Sequence, residues 1–256
     1  FQADFPNFKN KKFFQKDLAK TLKIIAIEGK DGFYKGEIAQ KIADDMKLNG
    51  GLISINDLNN YSPVWRDPII STYRDNQIIT MPPPSSGGVH IIQMLNILEN
   101  YDLEELEHNS IEYINLLSEV MKYAYADRSK YLGDPDFYDV PVDKITSADY
   151  SKKIFEAINI GYSKKSQDIH PGMFIDSESH ETTHFSVADK NGNVVSSTYT
   201  LNSTFGSGVV IKGTGILMNN EMDDFSAAPG VPNQFNLLGA EANEIAPFKR
   251  PLSSMT

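Results

Sequence analysis

The chain has 256 residues, of which 40% are hydrophobic, and it carries a net charge of −10 with a pI near 5.0. This length and apolar content suffice for one large domain or two small ones, whereas the acidic balance argues against nucleic-acid binding, which needs a basic face. The absence of cysteine excludes disulfides, thiolate metal sites and cysteine catalysis. The five histidines form no HExxH pair, so a zinc hydrolase is not expected. No apolar run approaches the roughly 18 residues of a membrane span.

The first 90 residues show helical periodicity and then a β-hairpin pattern. Apolar residues at helical spacing predict helices over 16–29 and 35–48, and Asn49-Gly50-Gly51 ends the second. The segment 69–81 alternates as strand, turn and strand. Three prolines in 82–88 then predict a loop, because proline removes a backbone donor and fixes φ.

Further helices are predicted over about 89–98, 110–132 and 151–157. Asn109 followed by Glu112 resembles a capping box at the start of the second of these. Its predicted inward face is made of Ile111, Ile114, Leu117, Met121 and Ala124.

The composition changes at residue 161. The polar segment 161–181 predicts an exposed linker, and after it the hydrophobic period becomes two. Strands around the turn Lys190-Asn191-Gly192 predict a hairpin, since Asn-Gly supplies the positive φ angles of a tight turn. Further strands are predicted at 206–210 and 215–218. We therefore divide the chain into a mainly helical part, 1–181, and a mainly β part, 182–256, within one structural domain.

Thr182 directly follows the linker and is the strongest candidate for chemistry. A threonine hydroxyl is a weak nucleophile at neutral pH, but a free α-amino group with a pKa of roughly 7.7–8.0 is a suitable base beside it. Cleavage between Glu181 and Thr182 would place nucleophile and base on one residue. Because a hairpin folds back on itself, Thr200 is expected beside Thr182, where it can donate a hydrogen bond, and Asn202 within reach of a bound ligand.

Two further pairs predict a binding site for an amino-acid head group. Glu221 and Asp224 lie together if their segment is a helical turn, and Ser253-Ser254 presents two hydroxyls. Carboxylates bind an ammonium group and hydroxyls donate to a carboxylate. With Thr182 nearby, the predicted reaction is attack on a side-chain amide carbonyl of an amino-acid derivative.

Six ordered motifs give the chain a resemblance to the γ-glutamyltransferase (γ-glutamyltranspeptidase) family of N-terminal-nucleophile hydrolases. They cover most of the chain from about residue 31 onward. The motifs are MPPPSSGG at 81–88, YAYADRSKYLGDP at 123–135, TTHFS at 182–186, TYTLNSTF at 198–205, NNEMDDFS at 219–226 and KRPLSSM at 249–255.

This resemblance implies an α+β fold, a four-layer αββα sandwich with the Thr182 hairpin in a central sheet. It implies that Thr182 is the nucleophile, exposed by self-cleavage after Glu181, and that Thr200 activates it. The remaining implied roles concern the substrate: the α-ammonium group is held by Asn202, Glu221 and Asp224, and the α-carboxylate group by Ser253 and Ser254.

The implied reaction passes through a γ-glutamyl ester on Thr182. Thr182 attacks the γ-carbonyl of glutathione or another γ-glutamyl amide, and water or an amino-acid or dipeptide acceptor then takes the acyl group. No metal or organic cofactor is required. The implied partners are the large and small subunits of one precursor, and the implied location is periplasmic or secreted, in a bacterium.

Family members extend beyond both ends of this chain. The resemblance implies a substrate-clamping arginine before Phe1 and a Gly-Gly pair for the oxyanion hole after Thr256, so we expect the chain to be a fragment that lacks normal activity alone. A second departure is Phe235, in the lid-like loop 229–240, where bacterial relatives often have a tyrosine bonded to the residue matching Asn202. The lid is therefore expected to open more easily.

Other interpretations compete with this one. A cephalosporin acylase shares the fold and the nucleophile, although Glu221 and Asp224 favour an ammonium-bearing substrate. An unprocessed, non-enzymatic scaffold is the alternative of another class. The structural interpretation is preferred for His184, which shares no strand face with Thr183, and for Ser85-Ser86, which lacks a G-x-S-x-G elbow.

Overall fold

The computed structural model describes residues 12–169, 182–228 and 230–256, without the side chains of Gln167 and Thr182. Within these residues the chain forms helices and two antiparallel two-stranded sheets, which confirms the predicted α+β class. They fall into two compact units, 12–65 with 203–219, and 66–169 with 182–202 and 220–256. Among the described helices, none combines the length and apolar character needed to cross a bilayer.

The first unit is built on four helices: α1 (Lys16–Glu28), α2 (Asp31–Tyr34), α3 (Gly36–Asn49) and α4 (Ile55–Asn60). Helix α3 follows its predicted pattern, and Gly50 ends it in the left-handed conformation that glycine tolerates best. Helix α1 departs from its pattern, because Leu22 is exposed and Thr21 is buried with its hydroxyl donating to the Thr214 carbonyl. The buried core of this unit consists of Ile38, Ala39, Ile42, Leu58 and Ile211.

The strands predicted at 206–210 and 215–218 are reduced to one bridge between Val210 and Leu217. The two segments do pair, since the Ser207 amide donates to the Met218 carbonyl at 2.9 Å. Four glycines at positive φ, at 206, 208, 213 and 215, bend the backbone and prevent a regular ladder.

The second unit begins with the predicted hairpin of β1 (Ile69–Tyr73) and β2 (Asn76–Thr80). Arg74 and Asp75 both take positive φ in its two-residue turn. Helix α5 (Gly87–Leu98) follows the proline loop and supplies Val89, Ile92, Ile97 and Leu98 to the core.

Helix α6 (Ile111–Tyr131) has the predicted length but a different cap and a different buried face. Its N-cap is Ser110, whose hydroxyl accepts from the Tyr113 amide, and not Asn109. The predicted stripe was largely wrong: Ile111, Ile114 and Met121 are exposed, whereas Ala124 is buried. The buried face includes polar side chains that are hydrogen-bonded to other side chains. Because these polar residues interrupt the apolar pattern, hydrophobic periodicity does not reveal which face of the helix is buried. It comprises Leu116, Glu119, Val120, Lys122, Ala124, Ala126, Asp127 and Arg128.

Two short helices, α7 (Val142–Ile145) and α8 (Ala148–Ala157), lead to the linker. The part of the linker from 170 to 181, including Glu181, lies outside the described residues. The second hairpin follows, with strands β3 (Thr182–Ala188) and β4 (Val194–Thr200), close to the predicted bounds. Gly192 supplies the positive φ of its turn.

Candidate active site

The pairing of the β3–β4 hairpin places the two candidate catalytic threonines opposite each other. Thr182 is the register partner of Thr200 at the open end of the ladder. Directly paired residues of an antiparallel ladder lie on the same face of the sheet. The backbone therefore places positions 182 and 200 next to each other, as predicted.

Thr200 is connected to the residues that follow it. Its hydroxyl oxygen accepts the Asn202 amide N–H at 2.9 Å. Asn202 has φ near 75°, which turns the chain out of the strand, and its side chain is buried. Its Nδ2 group lies 3.3 Å from the Asn220 carbonyl and 3.3 Å from Asp224 Oδ1. One row of hydrogen bonds thus runs from the strand end to the carboxylate segment.

Glu221 and Asp224 lie together, as predicted, because Glu221–Asp224 forms a single 3-10 turn. Burial, followed by the negative charge of Asp224 and a hydrogen bond to it, raises the pKa of Glu221 to about 7. Burial also raises the pKa of Asp224, against the hydrogen bonds from Glu221 and Asn202 and the charge of Arg128. A pair of carboxyl groups that resists double ionisation is matched to a cationic ligand.

Ser253 and Ser254 are held by the loop that precedes α5. Ser253 forms a parallel bridge with Ser85, and its carbonyl accepts from the Ser86 amide at 2.7 Å. The Ser85 hydroxyl donates to the Met255 carbonyl. The 82–88 loop therefore has a supporting role, in line with the structural interpretation of Ser85-Ser86.

Arg128 was not singled out from the sequence, yet it connects these segments. It is buried on α6 and donates to the hydroxyls of Ser86, at 3.3 Å, and of Ser254, at 3.2 Å. Burial lowers its pKa, and the charge of Asp224 acts in the opposite direction. A charged residue within a helical pattern is expected to face solvent, so only its position in the 123–135 motif hinted at its importance.

Asn243 is a second residue that the sequence did not indicate. Its side chain is buried and bridges two backbone groups, with Nδ2 donating to the Asp224 carbonyl at 2.7 Å and Oδ1 accepting from the Leu252 amide at 2.9 Å. We call Asn202, Glu221–Asp224, Asn243 and 252–254 the recognition frame.

Asp134 anchors the frame from outside. This fully buried carboxylate accepts from the Arg250 amide at 2.9 Å and from the Arg66 guanidinium at 3.2 Å. Asp136 is partly exposed and pairs with Arg66 and Arg250 through their side chains. The backbone just before Leu252 is thereby fixed.

The loop that carries Phe235 is fastened to the carboxylate turn. The Gln234 amide donates to Asp223 Oδ2 at 2.9 Å, and Asn233 Oδ1 accepts from the amides of Phe235 and Leu237. Phe235 itself is half-buried. The loop is therefore bonded to the recognition frame, and its role as a lid stays a prediction.

His184 lies on the β3 face that also carries position 182, two residues away. Its Nδ1 is 2.7 Å from the Thr198 hydroxyl, and its Nε2 is 3.1 Å from the Ser196 hydroxyl. These cross-strand contacts with β4 account for the ring without a catalytic role.

Positions 182 and 200 share one sheet face, the Glu221–Asp224 turn carries two carboxyl groups, and Ser253 and Ser254 add hydroxyls nearby in the second unit. Carboxylates can bind an ammonium group, and hydroxyls can donate to a carboxylate. The chain belongs to the γ-glutamyltranspeptidase family, whose model matches residues 5–256.

Individual relatives agree with this assignment. The chain is 53% identical over 251 residues to the glutathione hydrolase proenzyme of Escherichia coli (strain K12), covering 98% of this chain and 43% of that protein. The crystal structure of the Helicobacter pylori γ-glutamyltranspeptidase matches 66% of this chain and 48% of its own, at 49% identity and a TM-score of 0.61. The chain thus spans less than half the length of the Escherichia coli protein.

An acylase is also among the structural neighbours. The crystal structure of cephalosporin acylase from Bacillus halodurans has a TM-score of 0.76 and 28% identity, covering 93% of this chain and 40% of its own. The alternative activity considered from the sequence is therefore represented among similar folds.

Proposed function

We propose that the protein hydrolyses and transfers γ-glutamyl groups, with Thr182 as the nucleophile. The observation that carries this proposal is the row of contacts from the Thr182–Thr200 pair through Asn202 to Asp224. It joins the position of attack to a binding site for an α-ammonium group. The substrates are glutathione and other γ-glutamyl amides, and the acceptors are water, amino acids and dipeptides.

The proposed chemistry starts with cleavage between Glu181 and Thr182, which frees the Thr182 amine. That amine takes the proton of the Thr182 hydroxyl while the hydroxyl oxygen attacks the γ-carbonyl of the substrate. Thr200 accepts a hydrogen bond from the Asn202 amide, which fixes its hydroxyl oxygen beside position 182, and in this proposal Thr200 activates the nucleophile. The Thr182 amine then returns this proton to the leaving amine of the substrate, whose departure leaves a γ-glutamyl ester on Thr182. Water or the acceptor amine attacks this ester and frees the Thr182 hydroxyl.

Recognition is assigned to the frame. Asn202, Glu221 and Asp224 hold the α-ammonium group, Ser253 and Ser254 hold the α-carboxylate group, and the loop around Phe235 covers them. Arg128 orients Ser254 through its hydrogen bond to that hydroxyl. Phe235 has no hydroxyl with which to bond to Asn202, and the Gln234 amide, which donates to Asp223 Oδ2, joins the loop to the carboxylate turn.

The wider architecture is part of the same proposal. We place the Thr182 hairpin in a central sheet of a four-layer αββα sandwich, and residues 1–181 and 182–256 in the large and small subunits of one precursor. The name proenzyme, given to the Escherichia coli relative, supports processing. The proposed location is periplasmic or secreted.

Intact mass spectrometry of the full-length gene product beside Thr182→Ala tests the proposal. The unmodified protein should yield two fragments, one starting at Thr182, and release p-nitroaniline from γ-glutamyl p-nitroanilide. The variant should stay intact and lose at least about a thousandfold in turnover, because nucleophile and base disappear together. Cleavage of the variant at the same bond would overturn the assignment.

Acylase activity is the second candidate, and the Bacillus halodurans neighbour is the observation that favours it. A glutaryl group is a γ-glutamyl group without its α-amino substituent. Turnover of a γ-glutamyl anilide well above that of a glutaryl anilide supports the first proposal, and the reverse preference supports the acylase.

A further inference from the structure

We propose that Asn243 is a positioning residue for γ-glutamyl recognition. It sets the separation between the carboxylate turn and the serine pair through a single carboxamide. This inference rests on the function proposed above and assigns a role to a residue outside the candidate nucleophile and substrate-binding residues.

The contacts of Asn243 reach both halves of the recognition frame. One end of the side chain donates to the carbonyl of Asp224, and the other accepts the amide of Leu252, which directly precedes Ser253. The backbone carbonyl of Asn243 also accepts the Ser226 amide at 2.9 Å. Asn243 thus holds the backbone of the carboxylate turn and the backbone just before the serine pair, next to the side chains proposed to bind the substrate.

The chemistry at this position requires a carboxamide. The two backbone groups that it bridges are of opposite kind, a C=O acceptor and an N–H donor, and asparagine presents a donor and an acceptor on one short planar group. Aspartate would keep the acceptor and lose the donor. Alanine would leave both backbone groups without these partners in a buried place, where unsatisfied polar groups are costly.

The consequence is selective for amino-acid substrates. Self-cleavage attacks the carbonyl of residue 181 and needs no free head group, whereas γ-glutamyl binding needs both the carboxylate turn and the serine pair in place. Loss of Asn243 should therefore raise KM for γ-glutamyl substrates while cleavage and kcat persist. A residue that merely stabilised the fold would affect all three together.

The test compares Asn243→Ala and Asn243→Asp with the unmodified full-length gene product. Asn96→Ala is the control, because Asn96 is a partly buried asparagine that likewise donates to a backbone carbonyl, that of Thr146 at 2.8 Å, away from the frame. The measurements are the extent of self-cleavage and kcat and KM for γ-glutamyl p-nitroanilide.

Asn243→Ala should be cleaved normally, keep kcat within about threefold and raise KM about tenfold or more, for two lost hydrogen bonds. Asn243→Asp keeps the acceptor for the Leu252 amide but turns an oxygen toward the Asp224 carbonyl in place of the donor, so its KM should rise at least as much. The Asn96 variant should match the unmodified protein.

A KM of Asn243→Ala within twofold of the control would overturn the inference. A fall in kcat as large as the rise in KM would also overturn it. If the alanine variant does not cleave itself, Asn243→Asp decides by the same split between KM and kcat, and failure of both marks a purely structural residue. Absence of γ-glutamyl turnover in the unmodified protein would instead remove the proposed function, and this inference with it.

Discussion

The β3–β4 hairpin and the recognition frame are built in opposite ways. The hairpin is held by its own ladder, and most of its described side chains are exposed, including those of Phe185, Val187 and Tyr199. The frame is held by side chains that bond to the backbone of distant segments, and its supports Asn202, Asn243 and Leu252 are buried.

This difference separates two tasks. The hairpin places Thr182 opposite Thr200 through pairing between two strands that are close in sequence. A head-group site needs three segments that are far apart in sequence to be fixed together, and buried side-chain-to-backbone bonds provide this. Changes in the frame's supports should therefore act on folding and binding, and changes in the hairpin on chemistry.

The largest predicted effect is a loss of stability on substitution of Asp134, which tests whether buried contacts hold the frame. Asp134→Asn removes the charge of a buried carboxylate that accepts from the Arg66 guanidinium and from the Arg250 amide, while Arg66 keeps Asp136 as a partner. We expect a loss of about 3 kcal/mol in the free energy of unfolding, because two hydrogen bonds to a buried charged group are weakened, measured by urea denaturation.

Asp136 provides the matched control, since it pairs with the same two arginines but its side chain is 43% exposed. Asp136→Asn should cost less than about 1 kcal/mol, because exposed ion pairs contribute little. Equal losses for the two variants would show that burial of Asp134 is not what holds this end of the frame.

A smaller effect, on chemistry, is expected at Thr200. Thr200→Val keeps the shape and removes the hydroxyl that bonds to the Asn202 amide and faces position 182. A lost hydrogen bond to a developing charge is worth about 2 kcal/mol, so kcat for γ-glutamyl p-nitroanilide should fall about thirtyfold. KM should change little.

Thr200→Ser retains the hydroxyl and should retain most of kcat. Loss of activity in Thr200→Ser equal to that in Thr200→Val would point to packing of the methyl group and not to the hydroxyl. A thirtyfold rise in KM for the valine variant would place Thr200 in the frame and remove the distinction between the two regions.

The same distinction explains what the sequence could predict. Hairpin β3–β4, its Asn-Gly turn and the 3-10 turn of Glu221 and Asp224 depend on neighbours in the chain, so pattern and spacing were sufficient. Arg128, Asp134 and Asn243 act across long sequence separations, and a polar residue that is buried with a distant partner resembles a surface residue in sequence. The predicted face of α6 was largely wrong for the same reason.

The smallest predicted effect concerns pH and the carboxylate pair. Glu221 has a pKa of about 7 in the free site, so it is largely protonated below that pH. Because an ammonium ligand favours the ionised pair, binding should tighten as pH rises through 7. Between the ordinary glutamate pKa and about 7, the folded state binds this proton and the unfolded state does not. The contribution of Glu221 to the free energy of unfolding therefore falls as pH rises through that range.

The measurement is the ratio of kcat/KM for a γ-glutamyl anilide to that for a glutaryl anilide. Titration of the Thr182 amine affects both substrates and cancels in this ratio, whereas only the first substrate carries the ammonium group. A pKa near 7 predicts about a tenfold rise between pH of about 6 and about 8. Glu221→Gln should flatten the profile, because the group with a pKa of about 7 is then absent. A ratio that stays constant in the unmodified protein would mean that the pair does not meet the α-ammonium group, and the frame would need a different ligand.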